Sequence, residues 1–254
     1  MVKAPDTFAL EMNDTSERIE QFVGYFAHQL STIRDLAQAP YVRQFQKNLY
    51  VSVIDALARC VYPRRGNRER FTSFVAGFGR WPEHSRVSLP HIARLLARVP
   101  DPEFTDLRAF VRERLGTWLP GKIIQLDHDP DLEQILKLWP SQGQHRQPIP
   151  NVTVQSLQHV HLLYAYRNSL IHEFRQPGHS QEIADNPEPH YMHQLDPEPP
   201  QTGAGVWLLH YPRFFFDRLA ESGLASLKAY LEANRIDPYA SFVFGDFWLE
   251  GLNL

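Results

Sequence analysis

The chain carries one cysteine, Cys60, in 254 residues. A single thiol cannot close an intramolecular disulfide, and it excludes a cysteine-rich zinc site. Long apolar runs are also missing. No stretch approaches the roughly 18 residues of a membrane-spanning helix, and Met1–Leu10 holds no apolar segment of signal-peptide length. Neither sign of charge dominates, with 26 Lys and Arg against 29 Asp and Glu and a net charge of −3. That balance excludes a protein that coats nucleic acid indiscriminately. A phosphate-binding glycine loop is absent, because Gly203-Ala204-Gly205 precedes a predicted strand rather than a helix. No Gly-x-Ser-x-Gly nucleophile elbow occurs. These absences leave a soluble cytoplasmic protein, with no membrane association, cofactor or metal expected.

The remaining composition is that of a folded chain, 43% hydrophobic and 22% charged, well away from the disordered class. Charge is unevenly spread. Residues 34–114 hold 15 Lys and Arg against 8 Asp and Glu, whereas residues 122–200 hold 5 against 10. The densest basic cluster is Arg64, Arg65, Arg68 and Arg70. Guanidinium groups present a planar fork of donors that suits phosphate oxygens, so these four are candidate substrate-binding residues. The alternative is a solvated loop and helix start.

Helical periodicity dominates the pattern. Asp14 and Glu17 have capping-box spacing ahead of Ile19, Phe22, Val23, Phe26, Leu30, Ile33 and Leu36, which predicts a helix ended by Pro40. Val42 to Cys60 predicts a second helix and Phe71 to Phe78 a third. Ser88 can cap a fourth through Val99, and Pro102-Glu103 opens a fifth through Leu115. The following stretch reads as loop, with a short helix at Leu132–Leu136, and a long helix is predicted over Thr153–Glu173. The proline-rich acidic segment beyond His179 cannot be helical. His190–Leu195 and Val206–Tyr211 predict a small hairpin, and Pro212 starts a last helix, followed by an aromatic tail from Phe242 to Leu254. The expected class is mainly α: an antiparallel helical bundle with a small C-terminal β-hairpin and an extra helix.

The chemistry concentrates in Tyr166-Arg167-Asn168-Ser169-Leu170-Ile171-His172-Glu173. Asn168 and His172 are four apart and share a helix face, and the long Arg167 side chain can reach round to join them. The motif of Arg, a polar residue and a later His, late in a helical bundle, resembles the HEPN superfamily of ribonuclease and nucleotide-binding domains. The resemblance implies one such domain over residues 1–254, with a core at about 16–175 and an elaboration at about 176–254. It implies Arg167, His172 and Asn168 as catalytic residues. Members often carry a supporting acidic residue on the second helix, and Asp55, within the run Val51–Leu57, suits that role.

The activity the resemblance implies is metal-independent RNA cleavage of the toxin or defence type. The ribose 2′-OH attacks the adjacent phosphate, leaving a 2′,3′-cyclic phosphate or a 3′-phosphate. That step needs a proton acceptor working near neutral pH, which histidine supplies, and a cation beside the phosphorane. RNA is then the expected partner. A twofold homodimer with a shared active-site groove is also implied, since symmetry doubles the few charged groups. An antitoxin or other regulatory partner fits the same class. Two alternatives stay open: a catalytically inactive HEPN-like module that binds RNA or a nucleotide, and a helical protein-interaction domain. Arg167 paired with Asp55, and His172 capping a helix end, would fit a purely architectural role.

The 12 histidines offer no metal motif. His190 and His193 point to opposite faces of a strand, His159 and His161 diverge on a helix, and Asp127-His128-Asp129 reads as solvated. Cys60 falls on an apolar helix face and reads as a small buried hydrophobe. Trp139, Trp207 and Trp248 read as core or hairpin anchors.

Overall fold

Apolar side chains recurring on one side of successive segments wrap them around a common interior. In a computed structural model, residues 15–36, 41–99, 102–140, 150, 152–177, 186–195 and 205–241 are described. The elements are α1 (Thr15–Arg34), α2 (Val42–Val61), α3 (Asn67–Phe78), α4 (Leu89–Ala97), α5 (Thr105–Gly116), β1 (Ile124–Gln125), α6 (Leu132–Leu138), α7 (His159–His172), β2 (His190–Leu195), β3 (Gly205–His210) and α8 (Arg213–Asn234). The class is mainly α with a small antiparallel sheet. The expected Asp14 cap, the Pro40 stop and the aromatic tail with Trp248 lie outside the described residues. None of the described helices is long and apolar enough to cross a membrane.

α2 is the central element. It packs on α1, α3, α7 and α8, and its Tyr50, Val51, Ile54, Leu57 and Ala58 are fully buried. Pro63 stops it as predicted, with α2 ending at Val61. Cys60 is buried on its apolar face. α8 follows the hairpin yet packs along α1, α2 and α3. Gly223 permits that approach, since a Cβ there would stand 2.9 Å from the Phe74 ring. Arg34 adds a link from α1, donating from Nε to Asp217 of α8 at 2.8 Å.

The hairpin is part of a three-stranded sheet of order β1-β2-β3. β2 pairs antiparallel with β3, His190 opposite His210 and Leu195 opposite Gly205. Ile124 and Gln125, expected to be loop, pair with Tyr191 and His190. Two residues are too few to leave a period, so this strand has no sequence signature. Trp207 packs edge-on against Trp118, and Trp139 against Phe104.

The helix predicted from Thr153 is shorter than expected. A 3₁₀ turn at Gln155–Leu157 precedes an extended Gln158, and α7 starts at His159. The competing partner is the Arg86–Ser88 segment. Its Ser88 N–H donates to Leu157 O at 3.0 Å, and Arg86 O accepts from His159 N at 3.0 Å. Long-range backbone pairing thus replaces a first helical turn.

A buried polar network fixes that start. His159 Nε2 lies 2.7 Å from Asp129 Oδ2, as does the Tyr191 hydroxyl. Asp129 Oδ1 accepts from Leu89 N at 2.9 Å, and Tyr191 reaches Ser88 Oγ at 2.6 Å. Ser88 caps α4 and meets His91 Nδ1 at 2.7 Å. The expectation that Asp127-His128-Asp129 is solvated fails at Asp129, which is 1% exposed. Its carboxylate is held by donors from three other elements, which is what a buried charge requires.

Candidate functional site

Arg167 and Asp55 meet where α7 crosses α2. Arg167 Nε donates to Asp55 Oδ2 at 2.9 Å, and Nη2 donates to the same oxygen. Nη1 donates to Asn168 Oδ1 at 3.0 Å. A guanidinium has five N–H donors, so two are left for a ligand. Arg167 is 9% exposed as a residue, and its charge is largely committed to Asp55. The structure therefore brings together Arg167, Asn168 and Asp55 of the sequence-predicted set.

His172 is the last residue of α7, and it is exposed. The helix stops there because the backbone turns left-handed at Phe174, φ 52°. Ser169 O accepts from both Glu173 N–H at 3.1 Å and Arg175 N–H at 3.3 Å, which turns the chain back on the last helical carbonyls. A phenylalanine pays a steric penalty in that conformation. It is held by α2: Gln44 Nε2 donates to the Phe174 carbonyl at 2.5 Å, and the Phe45 ring packs on Phe174 at 5.5 Å. Asp55 and Gln44 thus clasp the last turns of α7 from one face of α2.

Electrostatics ties His172 to the same site. Burial raises the Asp55 carboxyl above its ordinary value, and Arg167, Arg70 and His172 each act to lower it. Three cationic or titrating groups from α3 and α7 therefore share one acidic residue on α2.

The basic cluster divides. Arg65 lies over the Tyr62 ring at 4.1 Å and donates to Ser73 Oγ at 2.7 Å. Arg70 donates to Asn67 Oδ1 at 2.6 Å and faces the Asp55 side. Arg64, in the turn before α3, and Arg68, in the first turn of α3, are exposed. Of the four, Arg70 acts on the Arg167 cluster, through Asp55.

Sequence reasoning missed two buried polar residues of α2. Lys47, fully buried, places Nζ 3.3 Å from the Tyr166 hydroxyl and 3.2 Å from Gln176 Oε1. Asn48 is buried with neither amide atom bonded among the described residues. Both stand in the polar run Gln46-Lys47-Asn48 of α2, which reads as a solvated face, so nothing local marks them as buried. Among the described residues, no three His, Cys, Asp or Glu side chains cluster as metal ligands. Comparison with known proteins yields no matching family, no matching curated protein and no matching solved structure.

Proposed function

We propose that the protein is a HEPN-like endoribonuclease, of toxin or defence type, that cleaves RNA without a metal ion. The observation that carries this reading is the joining of Arg167, Asn168 and Asp55 beside an exposed His172 at the end of α7. His172 takes the proton of the ribose 2′-OH as that oxygen attacks the adjacent phosphorus. The P–O5′ bond breaks, the 5′-oxygen leaves and is protonated, and a 2′,3′-cyclic phosphate remains. Arg167 stabilises the phosphorane with its two uncommitted donors. Asp55 and Asn168 fix the guanidinium plane, and Arg70 adds positive potential.

One His and one Arg supply few groups for proton transfer at two oxygens. A twofold dimer would bring a second pair to a shared groove. Tyr25, Phe45, Leu49 and Phe174 give each copy exposed apolar surface on the α1–α2–α7 side. An antitoxin or other regulatory partner would act by covering this groove. The decisive experiment is cleavage of a labelled single-stranded RNA in the presence of a chelator, with products analysed for cyclic phosphate. Cleavage lost in His172→Ala supports the reading, and cleavage that persists removes His172 from the chemistry.

A second reading has its own observation. The Arg167–Asp55 pair alone would serve to lock α7 on α2 in an inactive module that binds RNA or a nucleotide. Binding without turnover in the same assay selects it.

A further inference from the structure

Beyond the Arg167 ion pair, α7 presents a solvent-facing row of side chains that runs away from His172. Residues follow one another at about 100° around a helix, so His161, Ala165, Asn168 and His172 stand in one row. The row faces solvent: Ala165 and His172 are exposed, and His161 and Asn168 are half-buried. Val160, Leu163, Tyr166 and Leu170 turn the other way into the core. α3 lies along this helix, seated by the Phe71–Tyr164 ring contact at 5.8 Å.

Arg68 and His161 each stand three residues before the contacting ring of their own helix, and Arg68 acts on His161. Arg70 acts on Asp55, as does His172. Arg68 is exposed, with no side-chain hydrogen bond or ion pair among the described residues. His161 Nδ1 is buried without a hydrogen-bond partner, while its ring remains half-exposed. Between the two ends the small Ala165 keeps the floor low.

We propose that this row is the track of a single RNA strand, with the reacting phosphodiester at His172 and a second phosphate of the same strand held by Arg68 and His161. The proposal rests on the ribonuclease reading and adds a distal subsite to it. At a helical rise of about 1.5 Å per residue, the two ends of the row lie about 16 Å apart. That is the span of about five nucleotides at a stacked 3.4 Å spacing, and of fewer in an extended strand. Arg68 supplies charge for the phosphate, and an imidazole N–H of His161 supplies a hydrogen bond in either protonation state. The track makes binding depend on strand length, which a site confined to His172 and Arg167 would not.

The test uses the full chain carrying His172→Ala, so that binding is read apart from cleavage. Fluorescence anisotropy is measured with labelled oligouridylates: a dinucleotide, a tetranucleotide and an octanucleotide. Affinity is expected to rise steeply up to the length that fills the track. Arg68→Ala and His161→Gln are expected to flatten that rise. Arg68→Ala should also reduce the slope of log affinity against log salt by about 0.7, the value for one phosphate contact on a single strand, and Arg68→Lys should restore it. An unchanged length dependence and salt slope in Arg68→Ala and His161→Gln would overturn the track. If the unsubstituted chain still cleaves RNA in that case, the ribonuclease reading survives alone. Length-dependent binding with no cleavage by the unsubstituted chain keeps the track and removes the nuclease.

Discussion

Arg167 and Asp55 are 112 residues apart in the chain, yet Nε and Oδ2 lie 2.9 Å apart. Both side chains are largely buried, 11% and 23% exposed. Removing one partner leaves the other desolvated and unpaired, which costs more than the pair itself contributes. Asp55→Ala is expected to destabilise the fold by about 2–4 kcal/mol, read as a lowered urea midpoint with an unchanged slope. The double variant Asp55→Ala, Arg167→Met should recover part of the loss. A double variant less stable than Asp55→Ala would deny that the unpaired guanidinium is the cause.

His172 makes the opposite case. It is exposed at a helix C-terminus, so His172→Ala should shift stability by less than about 1 kcal/mol. If the proposed chemistry holds, the same change lowers kcat by about 10²–10⁴-fold. Thermal melts and single-turnover cleavage, measured on the same sample, separate the two effects.

Asp129 anchors the start of α7 through His159 while holding Tyr191 and the Leu89 N–H. Asp129→Ala strands all three in the interior. A loss of at least about 3 kcal/mol is expected, with earlier hydrogen exchange in the first turn of α7. Asp129→Asn keeps the volume and some hydrogen bonds, and should cost less.

The same network predicts an acid limit. Burial lowers His91 from its ordinary value to about 4, with neighbouring His159 adding to the effect and Asp129 opposing it. A base with a depressed pKa in the folded state adds stability above its unfolded value, near 6.5. That contribution falls away as pH drops from there toward about 4. His91 is partly exposed, so a loss of about 1–2 kcal/mol is expected rather than the full value of the shift. Urea titrations between those limits should show the slope, and His91→Gln should reduce it.

Much of this architecture is legible in the sequence because amphipathic spacing is local. Ile19 to Ile33 and Val42 to Cys60 give two helices, and His190–Leu195 gives a strand. The Arg167–His172 spacing marks the end of α7, and an acid within Val51–Leu57 marks Asp55 as its partner. Other features were illegible because their causes are distant. Gln158 is extended because Arg86 and Ser88 pair with its neighbours. Asp129 is buried because His159, Tyr191 and Leu89 converge on it. Nothing in the run Asp127–Asp131 distinguishes the one buried carboxylate from the two exposed ones.

The position of α7 late in the chain governs when the site can form. α8 is the last of the described α-helices to be synthesised, and it closes against α1, α2 and α3, of which α2 carries Asp55 and α3 carries Arg68 and Arg70. A chain emerging from the ribosome therefore exposes its basic α2–α3 hairpin long before α7 and α8 are available to complete the bundle. Contacts across such sequence separations form late, after the loop-closure entropy has been overcome. Under the proposed function, this order keeps the Asp55–Arg167 site unassembled until α7 has left the ribosome, well after the basic hairpin is exposed.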